Sequence, residues 1–219
     1  MLRRKLTETT SFKMVLKKVE ELDSQIFLQL YDSHYLRKKN IIRFAKVFSF
    51  FGSLFFWGLL WLVLGIYGLI TKDYLLFLLI TGGFQQSIII HILIKHVLVK
   101  RKRPYIALKE RGVKQEDELI REECSFPSGH VTFFLFFGYI FAFTFNCWVV
   151  LILFIWLAII MAISRLVLGM HFPLDVIAGF GFGTLYAFLF LGLTYHFWLD
   201  FYYWIGDIVK QIFWFFFPN

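Results

Sequence analysis

Apolar residues run along this chain in long stretches of membrane-crossing length, separated by short charged segments. Runs of this length fit transmembrane helices rather than the amphipathic stripes of a soluble bundle. Residues 47–70 are long enough to cross a bilayer, Thr71-Lys72-Asp73 forms a tight turn, and residues 75–99 cross back. Residues 131–145 and 148–163 are two further spans around a turn at Asn146-Cys147, and residues 176–199 are a fifth. The second half of the 75–99 span carries Gln85, Gln86, His91, Lys95 and His96. Polar groups are costly in lipid, so this face is expected to point into the bundle as interior hydrogen-bonders.

The two ends of the chain have a different pattern. Residues 12–39 include Lys17, Lys18, Glu20, Glu21 and Asp23, too much charge to span a membrane. Val15, Val19, Leu22, Ile26 and Leu30 recur at near-helical spacing, which predicts an amphipathic helix lying in the interface. Residues 201–217 are aromatic but interrupted by Gly206, Asp207, Lys210 and Gln211, and are expected to form a second interfacial helix. The fold class is therefore all-α: a polytopic membrane helical bundle of about five spans plus two interfacial helices. It is a single domain over residues 1–219, divided into an N-terminal amphipathic segment (1–43), a helical bundle (44–199) and an aromatic C-terminal helix (200–219). Tyr202, Tyr203 and Trp204 in that last segment suit anchoring at the headgroup level.

Composition agrees: 59% of the residues are hydrophobic, 21% aromatic, and the mean hydropathy is +0.68. The net charge of +8 would suggest nucleic acid in a soluble protein. Here the bases cluster at 3–5, 13–18, 37–46 and 100–121, beside apolar spans, so they orient the protein and meet anionic lipid instead. With five crossings the N-terminus, the 100–128 loop and the segment after residue 163 share one face. Of the 23 Lys and Arg, only Lys72 and Lys210 fall on the other. The positive-inside rule then places that face in the cytoplasm, in what is expected to be a bacterial cytoplasmic membrane. Two cysteines, Cys124 and Cys147, make no disulfide framework, and a polar stretch follows Met1-Leu2-Arg3-Arg4-Lys5 where a cleavable signal would need an apolar core.

Three polar clusters sit at span ends on that face: Lys100-Arg101-Lys102-Arg103-Pro104; Phe126-Pro127-Ser128-Gly129-His130; and Ser164-Arg165 followed by His171 and Asp175. Each alone has a plain explanation. A basic run marks topology, Pro-Ser-Gly-His starts a helix with a capping Ser, and a boundary Arg can snorkel. Arg, His and Asp together supply what phosphoryl chemistry needs: an anion clamp, a nucleophile or proton shuttle, and a carboxylate that orients it.

In this order the clusters resemble the type 2 phosphatidic acid phosphatase superfamily, which also contains vanadium haloperoxidases. Its motifs are Lys-x6-Arg-Pro, Pro-Ser-Gly-His and Ser-Arg-x5-His-x3-Asp. The second is met at Pro127–His130, and the third at Ser164, Arg165, His171 and Asp175, with Gly169 ahead of the His. The first is met at Arg103-Pro104. Its Lys position holds His96, with Lys95 one residue off and Lys100 one turn on. His96 protonated, Lys100, or Lys95 brought into register by a local bulge could supply the charge. The resemblance implies that His171 is a nucleophile forming a phosphohistidine, that Asp175 orients it, and that His130 is the general acid and then base. Arg103, Arg165 and the Ser128-Gly129-His130 amides would bind phosphate, with the Ser128 hydroxyl a further donor. It implies no metal and no other cofactor.

The expected function is a membrane phosphatase acting on a lipid phosphomonoester or pyrophosphate, such as phosphatidic acid, phosphatidylglycerophosphate or a polyprenyl pyrophosphate. A lipid phosphotransferase would need the same residues. A non-catalytic lipid-phosphate binder or transporter would need the arginines but not a nucleophile–acid pair. The partners expected are the lipid substrate and the bilayer, with no nucleic acid.

Overall fold

The computed structural model describes residues 2–117 and 122–216, with side chains described between residues 14 and 212. Nine α-helices follow one another among the described residues: α1 Leu2–Tyr31, α2 Lys39–Phe50, α3 Leu54–Thr71, α4 Leu75–Ile92, α5 Pro104–Ala107, α6 Gly129–Thr144, α7 Trp148–Val167, α8 Pro173–Leu189 and α9 Tyr195–Phe216. Among them, four stretches are long and apolar enough to cross a membrane: Leu54–Thr71, Leu75–Val99, Trp148–Val167 and Pro173–Ile212. The fifth expected span is α6. Its 16 residues rise only about 24 Å, and 10 of them are buried, so the other helices shield it from lipid.

The α6 helix is the centre of the bundle. Phe133, Phe134, Phe136 and Phe137 lie on consecutive faces and are all buried, against α4, α7 and α8. Gly183 of α8 lets that helix approach closely. A Cβ there would stand 2.7 Å from the Thr132 carbonyl of α6, the small-residue contact by which membrane helices pack.

Three expectations about boundaries are corrected. The first span does not begin at residue 47. The chain breaks at Phe51-Gly52-Ser53, and Ser53 caps α3 by accepting from the Phe56 amide. The short α2 before the break lies along the end of α7. Nor does the chain break near residue 200. The helix of α8 passes through a π-helical turn, Phe190–Thr194, into α9, and Thr194 and Trp198 beyond it bond Gln86 of α4 and pin the start of α9 to that helix. The third is α1, which is longer than expected at its start and stops at Tyr31. Its apolar stripe is as expected: Val15, Val19, Leu22, Ile26 and Leu30 are all exposed. A second face, Asp23, Phe27 and Tyr31, is buried against the bundle.

Candidate active site

The spans place six chain segments at one end of the bundle: the C-terminal ends of α4 and α7, the N-terminal ends of α6 and α8, and α1 with α2. The three sequence clusters meet there, around a cavity of about 780 Å³. Its polar end is lined by Lys95, His96, Arg103, Gly129, His130 and His171, and its walls by Trp57, Phe84, Ile88, Phe133 and Phe137.

Arg103 precedes α5 in extended backbone, and Pro104 starts that helix with its fixed φ. Its buried guanidinium donates from Nη1 to the Met170 carbonyl at 3.1 Å and lies 3.2 Å from His171 Nε2. A guanidinium has no acceptor, so His171 Nε2 must be the lone-pair nitrogen and the ring proton sits on Nδ1. That Nδ1 is 3.7 Å from Asp175 Oδ2. Burial, and after it the Arg103 charge, pushes His171 well below the ordinary imidazole range, so the ring stays neutral. Asp175 is fully buried. Its Oδ2 accepts from the Phe172 amide at the start of α8, 2.8 Å away, and its backbone carbonyl accepts from the Ser128 amide at 3.0 Å. That bond ties the N-termini of α6 and α8 together.

His130 lines the cavity one residue into α6. It fits only because residue 52 is glycine, since a Cβ there would lie 2.7 Å from His130 Cδ2 and 2.9 Å from Met161 Cε. Ser128 does not cap α6 with its side chain. It is buried with no partner for its hydroxyl, behind the cavity rather than on its wall. Arg165 is fully buried as well and does not line the cavity itself. Its Nη1 donates to Asp117 Oδ2 at 2.7 Å and to the Ser49 hydroxyl, and both of those residues are on the wall.

The position of the first-motif lysine is set by backbone shape. After Ile92 the helix widens into a π-helical turn, Leu93–Val99, which adds a residue to the local period. Lys95 is turned inward and buried, 2.6 Å from Glu122 Oε2. His96 sits at the rim, 2.9 Å from Glu122 Oε1. Lys100 does not share its direction. It is exposed, with φ 50, where the chain leaves the helix.

In the acidic stretch 116–123, Glu116, Asp117 and Glu122 are each engaged by cationic side chains. Glu122 accepts from Arg103 Nη2 at 2.8 Å as well as from Lys95 and His96. Burial raises its pKa, but Lys95, Arg103 and His96 outweigh that and hold it below the usual carboxylate range. Glu116 is clamped by Arg37 at 2.9 Å and Lys46 at 3.2 Å. Carboxylates thus sit on the cationic groups expected to bind phosphate. Sequence reasoning missed Glu122, Asp117, Ser49 and Gly52. The one available signal was the acidic run lying between two basic motifs. His91 also differs from expectation. It is buried on the cavity wall and both ring nitrogens lack a hydrogen-bond partner, whereas Gln85 and Gln86 do bond across to α9.

Two solved structures share the fold. One is the first transmembrane PAP2 type phosphatidylglycerolphosphate phosphatase from Bacillus subtilis, with a TM-score of 0.62 and 24% identity over 80% of this chain and 85% of that one. The other is LpxE of Aquifex aeolicus, with a TM-score of 0.54 and 21% identity over 77% and 93%. Among curated protein sequences none matches significantly. The model of the PAP2 superfamily matches residues 71–200, from the turn before α4 into α9, and so spans all three motif clusters. This integral membrane protein belongs to the PAP2 superfamily.

Proposed function

We propose that the protein is a lipid phosphatase that hydrolyses a lipid phosphomonoester or pyrophosphate through a phosphohistidine at His171. One observation carries this. His171 Nε2 lies 3.2 Å from the buried Arg103 guanidinium, at the polar end of a cavity lined elsewhere chiefly by aromatic and aliphatic side chains. The phosphoryl group lies at Arg103 and Lys95, with the Gly129 amide at the α6 N-terminus adding a dipole. The lipid tail lies along Phe84, Ile88, Phe133 and Phe137. Leu54 and Phe55 of α3 line the same cavity and are exposed, which suits lateral entry from the bilayer.

In the first step His171 Nε2 attacks phosphorus. The phosphorus–oxygen bond to the lipid breaks, and His130, which enters the step protonated, gives its proton to the leaving oxygen. In the second, neutral His130 takes a proton from water, the water oxygen attacks phosphorus, the phosphorus–nitrogen bond to His171 Nε2 breaks, and phosphate leaves. Asp175 Oδ2, 3.7 Å from Nδ1, is the carboxylate that draws in to hold the Nδ1 proton as positive charge develops on the ring, and the cations stabilise the charge on the equatorial oxygens.

The test is a panel of phosphatidic acid, phosphatidylglycerophosphate and undecaprenyl pyrophosphate in detergent micelles containing a metal chelator. Wild type should release phosphate from at least one of them, and His171→Ala from none. Release by His171→Ala would refute the nucleophile assignment, and no release by wild type from any would refute the hydrolase reading.

A further inference from the structure

Arg101 is not part of any of the three motifs, yet it is placed as carefully as Arg103. Residues 101–103 are extended and pair with residues 123–125. The Ser125 amide donates to the Arg101 carbonyl at 2.7 Å, Arg103 donates to the Glu123 carbonyl at 3.0 Å, and Lys102 bridges Cys124. In extended backbone residues two apart face the same side. Arg101 and Arg103 therefore both face the 170–175 turn, Arg103 at His171 and Arg101 at Asp175, while Lys102 points out to solvent.

The Arg101 guanidinium links two carboxylates. Nη1 is 2.8 Å from Asp175 Oδ1 and Nη2 is 2.5 Å from Asp23 Oδ2. Its central carbon lies over the Phe172 ring, 4.1 Å from the ring centre, a cation–π contact that favours this position. Asp23 comes from α1, and its second oxygen accepts from the Leu174 amide at 3.0 Å. That amide belongs to the first turn of α8, where helices leave donors unpaired. Both carboxylates are essentially without solvent, with side-chain exposures of 2% for Asp23 and 0% for Asp175.

The two oxygens of Asp175 thus have separate tasks. Oδ2 is held by the Phe172 amide and faces His171, and Oδ1 is held by Arg101. A buried carboxylate deprived of its cation is costly and escapes by rotating or by taking up a proton. Either would remove the charge that keeps the His171 proton on Nδ1. Asp23 occupies the other arm of Arg101 and fixes its orientation. Neither contact is made to the phosphate donors Arg103 or Lys95 themselves.

We propose that Arg101 and Asp23 are positioning residues for the reaction, Asp23 of the N-terminal helix fixing Arg101 and Arg101 fixing the carboxylate that orients His171. The proposal rests on His171 being the nucleophile. It also makes α1, which lies outside the part of the chain matched by the family, a component of the active site.

The test measures phosphate release per folded molecule from whichever lipid of the panel wild type hydrolyses fastest, with inorganic phosphate as inhibitor. Arg101→Gln and Asp23→Ala are expected to lower kcat by about 10–100-fold, the usual cost of losing a group that orients a reacting one. KM and the phosphate inhibition constant should stay within about threefold, since the phosphate donors are untouched. Arg101→Lys and Asp23→Asn, which keep the size and much of the bonding, should recover part of the rate. The double variant should be little worse than Arg101→Gln alone, because Asp23 acts through Arg101. If the ion pairs only clamp α1 to the bundle, the variants will melt earlier with kcat within about twofold of wild type, and that result overturns the proposal. His171→Ala inactive beside fully active Arg101 and Asp23 variants leaves the nucleophile standing and removes the proposal. An active His171→Ala removes the nucleophile assignment itself.

Discussion

Glu122 occupies the place where phosphate is expected, and replacing it with glutamine should tighten substrate binding. Its carboxylate lies 2.6 Å from Lys95 Nζ, 2.8 Å from Arg103 Nη2 and 2.9 Å from His96 Nε2. A hydrogen bond to a charged group contributes about 1.5–3 kcal/mol when buried. The Glu122 side chain is 35% exposed, so solvent screens part of this. We take about 1–2 kcal/mol as the net hold that an incoming phosphate must displace. At about 1.4 kcal/mol per tenfold, this weakens phosphate binding by roughly 5–30-fold. Glu122→Gln keeps the size and removes the charge. KM and the inhibition constant of inorganic phosphate should therefore fall by that factor, with kcat within about threefold of wild type. The effect should shrink as salt is raised, because the carboxylate is partly in water. Initial rates of phosphate release in micelles at two ionic strengths measure all of this. An unchanged or higher KM would show that the carboxylate does not compete with phosphate. A hundredfold loss of kcat at constant KM would show that it takes part in the chemistry.

Other outcomes follow from the same geometry. Gly52→Ala pushes a methyl to within 2.7 Å of His130 and 2.9 Å of Met161. It should cost about 1–3 kcal/mol of stability by overpacking and lower kcat, read by thermal unfolding and turnover. Lys95→Gln should raise KM at least tenfold while Lys100→Gln leaves it unchanged, because the first is buried in the cavity and the second faces solvent. His171 is held neutral in the fold, with its pKa below the roughly 6.5 of an unfolded histidine. The stability this carries is present above that value and is lost as pH falls beneath it. The melting temperature of His171→Asn should accordingly drop less than that of wild type between about pH 6.5 and 5. With Cys124 and Cys147 replaced, an Arg111→Cys variant in intact cells should resist an impermeant thiol reagent, since the positive-inside rule puts that loop in the cytoplasm. Labelling would place the site outside.

Much of the molecule was legible in the sequence because single-residue chemistry dictated it. The apolar runs marked the membrane helices, four of them long enough to span and the fifth the buried α6, and Arg103, His130, His171 and Asp175 come together because those helices return to one face. What was hidden arose from backbone shape and from tertiary pairing. A π-helical turn shifts which of two adjacent residues, Lys95 or His96, faces inward, and composition carries no mark of it. Nothing in the sequence singled out Glu122 and Asp117, because their cationic partners Lys95, Arg103 and Arg165 are distant along the chain. Ser128 fits a helix cap by type, yet its hydroxyl makes no such bond. Asp23 counted only as one more charge that barred residues 12–39 from the membrane, though it is buried against α8.

The continuous helix from Pro173 to Ile212 has a further consequence. Its 40 residues rise about 60 Å, twice the hydrocarbon thickness of a bilayer. One end cannot shift, because Asp175 and the Ser128 amide lock α8 to α6. A thicker or thinner membrane is therefore met at the other end, where more or less of α9 is immersed and its exposed Phe197, Tyr203 and Trp204 settle at the headgroups. The cavity end of the bundle then keeps its depth relative to its own leaflet, and the long aromatic tail takes up the difference between membranes of different thickness.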